Sequence, residues 1–244
     1  MAESTYSLAK SDLDERIGHF LGYGPTSGNW SAAMQADIDR AREEGLTRFY
    51  GAFNWTFLTP TATLSVPASD YDIDLPDNFG WIIDTFNFND DDVYSSLRMV
   101  SVGEIQRKRT QSSSTGIPYL FAISAKTNDA TTTARYEVLL YPTPTAAYTL
   151  NYRYRVLRDA LTTGEYPLGG AMHRNTMIES CLAAAEAQLD DNAGLHENRY
   201  RMFLTDSISA DKMNKPKFYG KNDDRSGEYL PDNLPIRSYL YNGA

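Results

Sequence analysis

Residues 138–157 read VLLYPTPTAAYTLNYRYRVL, two strand-like halves joined by Pro142-Thr143-Pro144, and the second half alternates apolar with polar side chains throughout. Successive side chains of a strand point to opposite faces. Tyr148, Leu150, Tyr152, Tyr154 and Val156 therefore make one face, expected to be sheet core. Thr149, Asn151, Arg153 and Arg155 make the other, expected to meet water or a neighbour. On either side, "TATLSV", "YDIDLP", "GWIIDTFNF", "SLRMVSV", "IPYLFAIS" and "ARYEVLLYP" are short runs rich in β-branched and aromatic residues, divided by Pro, Gly, Asn, Asp or Ser. They predict an all-β region over residues 53–165, of a size that suits a small antiparallel sandwich or barrel.

Helical spacing appears on both sides of that region. In "SDLDERIGHFLGYG", Leu13, Ile17, Phe20 and Leu21 share a face, Ser11 with Asp14 resembles a capping box, and Gly22 and Gly24 stop the helix. Trp30, Met34, Ile38 and Ala41 recur at helical spacing in a second helix, with Asp37, Asp39 and Arg40 on the wet side and Gly45 as its expected end. After the β region, Ile178, Cys181, Leu182, Ala185 and Leu189 make a stripe narrowed by alanines, which lets a partner helix approach closely. Tyr200, Phe203, Leu204 and Ile208 face inward on a fourth helix, closed by Lys215-Pro216. Stripes of this width must be buried against one another, so the fold class read from the sequence is α+β. It comprises a discontinuous four-helix bundle from residues 1–52 and 166–217, an inserted β domain at 53–165, and an extended C-terminal arm at 218–244. The arm follows neither period yet carries Tyr219, Tyr229, Leu230, Leu234, Ile236, Tyr239, Leu240 and Tyr241. Disordered tails are poor in such residues, so this one is expected to bind along another subunit.

The 244 residues are 41% apolar and carry a net charge of −9, which suits a sizeable core and opposes a dedicated binder of double-stranded nucleic acid. A single cysteine, Cys181, excludes an internal disulfide framework and fits a reducing compartment. No secretory start and no membrane-length apolar run are present, so a protein made and assembled in cytoplasm is expected.

Chemistry is hard to find. His19, His173 and His196 stand singly, without a second ligand at i+3 or i+4, and are read as surface or boundary residues. Cys181 lies in the alanine stripe and reads as core, not nucleophile. "GYGPTSG" at 22–28 follows a helix, unlike a phosphate cradle, and is a helix-to-helix turn. "NDDD" at 89–92 lacks the spaced ligands of a calcium loop and reads as a solvated turn. No catalytic residue, cofactor site or metal site is assigned. The basic cluster in "QRKRTQSSSTG", with Arg107, Lys108 and Arg109, reads as a solvated loop, or more sharply as a contact to DNA or an acidic neighbour.

Taken in order, "LDERIGHFLG", "SAAMQADIDRAREEGLTRFYGAFNW", "LSVPASDYDIDLPDNF", "SLRMVSVGEIQRKR", "GIPYLFAI", "VLLYPTPTAAYTLNYRYRVLRDALT" and "AAAEAQLDDNAGLHENRYRMFLTDSISAD" resemble the bacteriophage head-to-tail adaptor family, also called connector or tail tubular proteins. "YPTPTAAYTLNYRYR" is the most characteristic piece. The resemblance implies a non-enzymatic structural protein of the virion, assembled in the host cytoplasm. It would form a dodecameric ring that joins the portal to the tail and extends the DNA channel. The implied partners are the portal protein, tail or nozzle proteins and further copies of this chain, with DNA passing along a negative wall without specific binding and no membrane contact. Tyr219, Tyr229, Leu230, Ile236, Tyr239, Leu240 and Tyr241 would touch the portal or a neighbouring subunit. Arg107, Lys108, Arg109, Arg153 and Arg155 would meet the tail or DNA.

One alternative is another tail or baseplate component with a carbohydrate-binding β domain, in which the tyrosines would be exposed sugar platforms. A second is a wall hydrolase. Deleting residues 218–244 is expected to leave the monomer folded and to abolish portal attachment in a pull-down; retained attachment would refute the arm's role.

Overall fold

The computed structural model describes residues 4–89, 94–127, 135–190 and 194–213. Among these, the helices are α1 (Lys10–Phe20), α2 (Ala32–Gly51), α3 (Val102–Gln111), α4 (Arg174–Asp190) and α5 (Leu195–Lys212). The strands are β1 (Thr61–Val66), β2 (Asp72–Asp74), β3 (Phe79–Ile82), β4 (Asn87–Phe88), β5 (Arg98–Met99), β6 (Thr115–Gly116), β7 (Leu120–Thr127), β8 (Arg135–Tyr141), β9 (Thr143–Pro144) and β10 (Tyr148–Val156). The fold is mixed α and β, with mostly antiparallel sheets and five helices among the described residues.

The early and late helices share one core. Leu13, Ile17, Ile38, Leu46 and Phe49 from α1 and α2 are buried with Met177, Ile178, Cys181 and Ala185 from α4. Gly45 does not end α2, which runs six residues further to Gly51. It lies at the crossing with α4, where a Cβ would fall 2.4 Å from the Cys181 Cα and 2.8 Å from the Ser180 carbonyl oxygen. Two backbones in direct contact leave no room for a side chain. The Ser180 hydroxyl donates to the Gly45 carbonyl at 2.7 Å, and the Cys181 thiol to that of Arg42 at 3.7 Å. Facing alanines on α4 keep the approach close, as the stripe predicts, but Leu189 at its far end is 55% exposed and lies outside the core.

α1 is held by charge as well as by apolar contact. The cap differs from expectation: Asp12 accepts the Ala9 N–H at 3.0 Å, while Asp14 turns inward. Asp14 pairs with buried Arg42, which also reaches Asp39 at 2.7 Å, and Lys10 bonds Asp14 at 2.6 Å. Burial works against the Arg42 charge, yet Asp14 and Asp39 hold its pKa above the ordinary value. Removing either partner of such a pair would strand a buried charge. α5 joins α4 through Thr176, whose hydroxyl bonds Ser207 at 2.6 Å.

The strands form two four-stranded sheets and one two-stranded pair. In the first, β10 is central, pairing with β1 on one side and with β3 and β4 on the other. The second runs β2-β8-β7-β5. Leu64 and Val66 of β1, Leu150, Tyr152 and Tyr154 of β10, Phe121 of β7 and Val138 and Leu140 of β8 bury one shared core between the two sheets. The tyrosine face of β10 is therefore core. None of the described sheets closes into a barrel, which removes that half of the sequence expectation. At one side the sheets are tied where the Leu97 N–H donates to the Phe86 carbonyl at 2.9 Å.

The region is not all β. α3 covers the outer face of the second sheet, placing Ile105 against Leu120, Ala122, Leu139 and Tyr141. This explains the unbroken apolar run VLLY in β8: Val138 and Leu140 face one core, Leu139 and Tyr141 the other. Strands buried on both faces lose their alternation.

Gly45→Ala, which adds one methyl at the backbone crossing, is expected to cost about 1–3 kcal/mol, the usual range for overpacking. Gly51→Ala, where nothing lies within 4 Å, is expected to be neutral or mildly stabilising. Urea midpoints check this, and equal midpoints for the two variants would contradict the crossing.

Candidate functional site

Few of the reactive residue types are placed for chemistry. Among the described residues no group of three His, Cys, Asp or Glu side chains gathers as a metal site. Burial drives the Cys181 thiol up to about 12, so a thiolate does not form near neutral pH. His19 is exposed, and His196 bonds Glu179 at 2.7 Å beside the Phe20 ring. His173 departs from expectation. It is buried, with its ring centroid 5.0 Å from Trp55, 5.2 Å from Phe57 and 5.8 Å from Phe49. The left-handed Gly169, where a Cβ would lie 2.9 Å from Phe57, lets the chain turn tightly over these rings. Of the "NDDD" stretch, residues 90–92 lie outside the described residues.

The basic residues singled out from the sequence divide sharply. "QRKRTQ" belongs to α3 and is not a loop. Its start carries a capping signal, Ser101 three residues before Glu104, and the Ser101 hydroxyl accepts the Glu104 N–H at 3.2 Å. Arg107 is exposed on that helix. Lys108 and Arg109 fold back on the sheet: Arg109 lies 3.3 Å from the Tyr71 ring centroid and donates to the Leu140 carbonyl, while Lys108 lies over Tyr141. Arg153 is solvent-facing, as its position in β10 predicts, but pairs with Asp84 at 3.3 Å and bonds Thr59.

Arg155 departs furthest from the expected open contact. Its side chain points away from the tyrosine face, yet it is only 7% exposed because the end of α2 lies over it. Its Nη2 donates to the Tyr50 carbonyl at 3.1 Å and the Phe53 carbonyl at 3.4 Å. These are carbonyls at the negative end of a helix, where a cation is favoured. Its guanidinium also lies 5.5 Å from the Trp81 ring centroid, and Nη1 finds no partner among the described residues. Burial pulls its pKa below the ordinary value. Arg155 is a clamp between helices and sheet, not an open contact.

Further bonds complete this junction. Arg158, just beyond β10, donates to the Glu43 carboxylate at 2.8 Å and the Thr47 hydroxyl at 2.6 Å on α2. Buried Asp211, near the end of α5, accepts the Thr56 hydroxyl at 2.6 Å and its backbone N–H at 3.1 Å, at the start of the 3₁₀ turn Thr56–Leu58. Tyr50 donates to the Leu168 carbonyl at 3.0 Å, and burial raises its pKa. Beside the junction opens a cleft of about 790 Å³ between α2, the end of β10 and the segment leading to α4. Asp211 and the cleft had no signal in the sequence, since both depend on chain segments far apart in it. Tyr152 and Tyr154 of β10, 2% and 7% exposed, are not available as sugar platforms.

A match to the SU10 adaptor protein family spans residues 6–221, with every helix and strand of the described residues included. The chain belongs to the SU10 adaptor protein family. This is a family of phage head-to-tail adaptors, so the chain has a structural role at the head-to-tail junction and is a virion component. The family is generally non-enzymatic. Among curated proteins none matches the chain. No helix among the described residues is long and apolar enough to cross a membrane. The expected arm contacts, Tyr219, Tyr229, Leu230, Ile236, Tyr239, Leu240 and Tyr241, lie outside the described residues. The family match ends among them, after Tyr219 and before Tyr229.

Burial holds the His173 imidazole below its ordinary pKa, partly opposed by Asp211. The unfolded chain then binds the extra proton first as pH falls below about 6.5. The contribution is complete above that pH and shrinks as pH falls toward the folded value. The urea midpoint is expected to drop between pH 7.5 and pH 5, and His173→Phe to reduce that drop. An unchanged slope in the variant would show that His173 does not titrate with folding.

Proposed function

We propose that the chain is the head-to-tail adaptor that forms a dodecameric ring, joining the portal to the tail and extending the DNA channel. The family match across residues 6–221 carries this reading. The helices of residues 1–52 and 166–217 act as one discontinuous four-helix bundle, a reading supported by their common core. The two facing sheets of residues 53–165 act as a sandwich-like lobe directed at tail or nozzle proteins. Arm residues 218–244 serve the portal or a neighbouring subunit.

The physical properties suit such a part. A ring component under a packaged genome must hold its shape while DNA moves past. The clamp at Arg155, the Arg158 bonds to α2 and the Asp211 cap tie the lobe to the helices at several points. The net charge of −9 disfavours retention of a polyanion in the bore. Arg107, exposed on α3, stays available for an acidic neighbour on the tail side. No membrane is involved, and assembly takes place in the host cytoplasm.

Electron microscopy of the purified chain mixed with its portal tests the proposal. Rings coaxial with the portal are expected, with twelvefold symmetry in class averages. Absence of any complex at micromolar concentrations, or binding off the portal axis, would overturn it.

A further inference from the structure

We infer that the cleft beside the junction is the docking site for the chain's own C-terminal segment, residues 229–236, YLPDNLPI. Four rings line it, those of Tyr50, Phe57, Tyr154 and Tyr166, along with Leu157 and Leu168. Leu157, Tyr166 and Leu168 remain 50%, 44% and 43% exposed in the described fold. Large apolar side chains grouped at one concave site are the usual mark of a surface that is covered in use. At about 790 Å³ the cleft also falls within the range of ligand-binding pockets, about 300–1,000 Å³.

The exit point of α5 and the residues C-terminal to it identify the occupant. α5 ends at Lys212, and its Asp211 is bonded to Thr56, the residue before the cleft-lining Phe57. The last described turn of α5 is therefore bonded to the residue next to a cleft-lining ring. Beyond Met213 there remain residues 214–244, and the stretch 229–236 combines Tyr229, Leu230, Leu234 and Ile236 with Pro231 and Pro235. Proline pre-orders a peptide in an extended form that lies against aromatic-lined grooves at low entropic cost. Fifteen residues separate Met213 from Tyr229, a span that reaches at most about 3.3–3.6 Å per residue and easily returns to a cleft beside its origin. A tethered segment also acts at an effective concentration in the millimolar range, so modest affinity suffices.

The inference goes beyond the adaptor reading. The free chain holds its arm on its own cleft, and a portal that takes up the arm must displace it. The test needs no portal, so its failure is separable from failure of ring assembly.

The full chain carrying Tyr166→Cys and Leu230→Cys is oxidised in dilute solution and run on a non-reducing gel. An intrachain disulfide is expected, at least fivefold faster than in a Leu189→Cys, Leu230→Cys control, whose helical cysteine sits outside the cleft. Equal rates, or disulfides only between chains, would overturn own-chain docking. A second measurement alters no cleft residue: Leu230→Asp with Leu234→Asp should raise amide exchange across residues 157–168 at least threefold over the unaltered protein. Unchanged exchange there would also overturn it.

Discussion

At Gly45 the backbone of α2 rests directly on the backbone of α4 at Ser180 and Cys181, and the remainder of the fold is arranged around that contact. It joins segments more than 130 residues apart in sequence. Because α2 and α4 touch without intervening side chains, the alanines of α4 can be buried, and α1 and α5 find complementary faces on the pair. Next to the crossing, Arg42 of α2 is buried in its ion pair with Asp14 of α1, and its backbone carbonyl accepts from the Cys181 thiol of α4. The long loop closed by this contact contains every strand among the described residues, so the chain must leave and re-enter the helical cluster at nearby points.

Those two points are the junction. The chain leaves after Phe53, whose carbonyl is held by Arg155, and returns through Arg158, which is held by α2. Both arginines belong to or follow β10, the central strand of the first sheet. The strand that organises the sheet is therefore the one that fastens it to the helices. For a head-to-tail adaptor this is mechanically sensible, because load passed between the lobe and the helical part travels through a paired strand and charge-assisted hydrogen bonds.

Regular periods were legible. The alternation of β10 predicted which side of it is core, and Tyr152 and Tyr154 are buried there as read. The alanine stripe predicted a close helix partner without naming it. α3 escaped notice because only Ile105 is buried in it, so its ten residues carry no apolar stripe. Its cap, Ser101 with Glu104, was the available signal. For Arg155 the alternation assigned the correct face and the wrong environment: sheet geometry says that the face is outer, but the end of α2 covers that part of it. His173 likewise looked like a boundary residue until Trp55 and Phe57 closed around it.

The amino-acid order alone determined the conformation of the strongly periodic elements, which face of β10 is core, and the resemblance to phage adaptors, because periodicity and turn chemistry act over a few residues. The tertiary structure decided that Gly45 is a crossing and not a stop, that Arg155 is a clamp, that α3 roofs the second sheet, and that a cleft opens beside the end of β10. Each of those depends on which distant segment arrives at a residue, and burial, desolvation and backbone contact are properties of that meeting rather than of either segment.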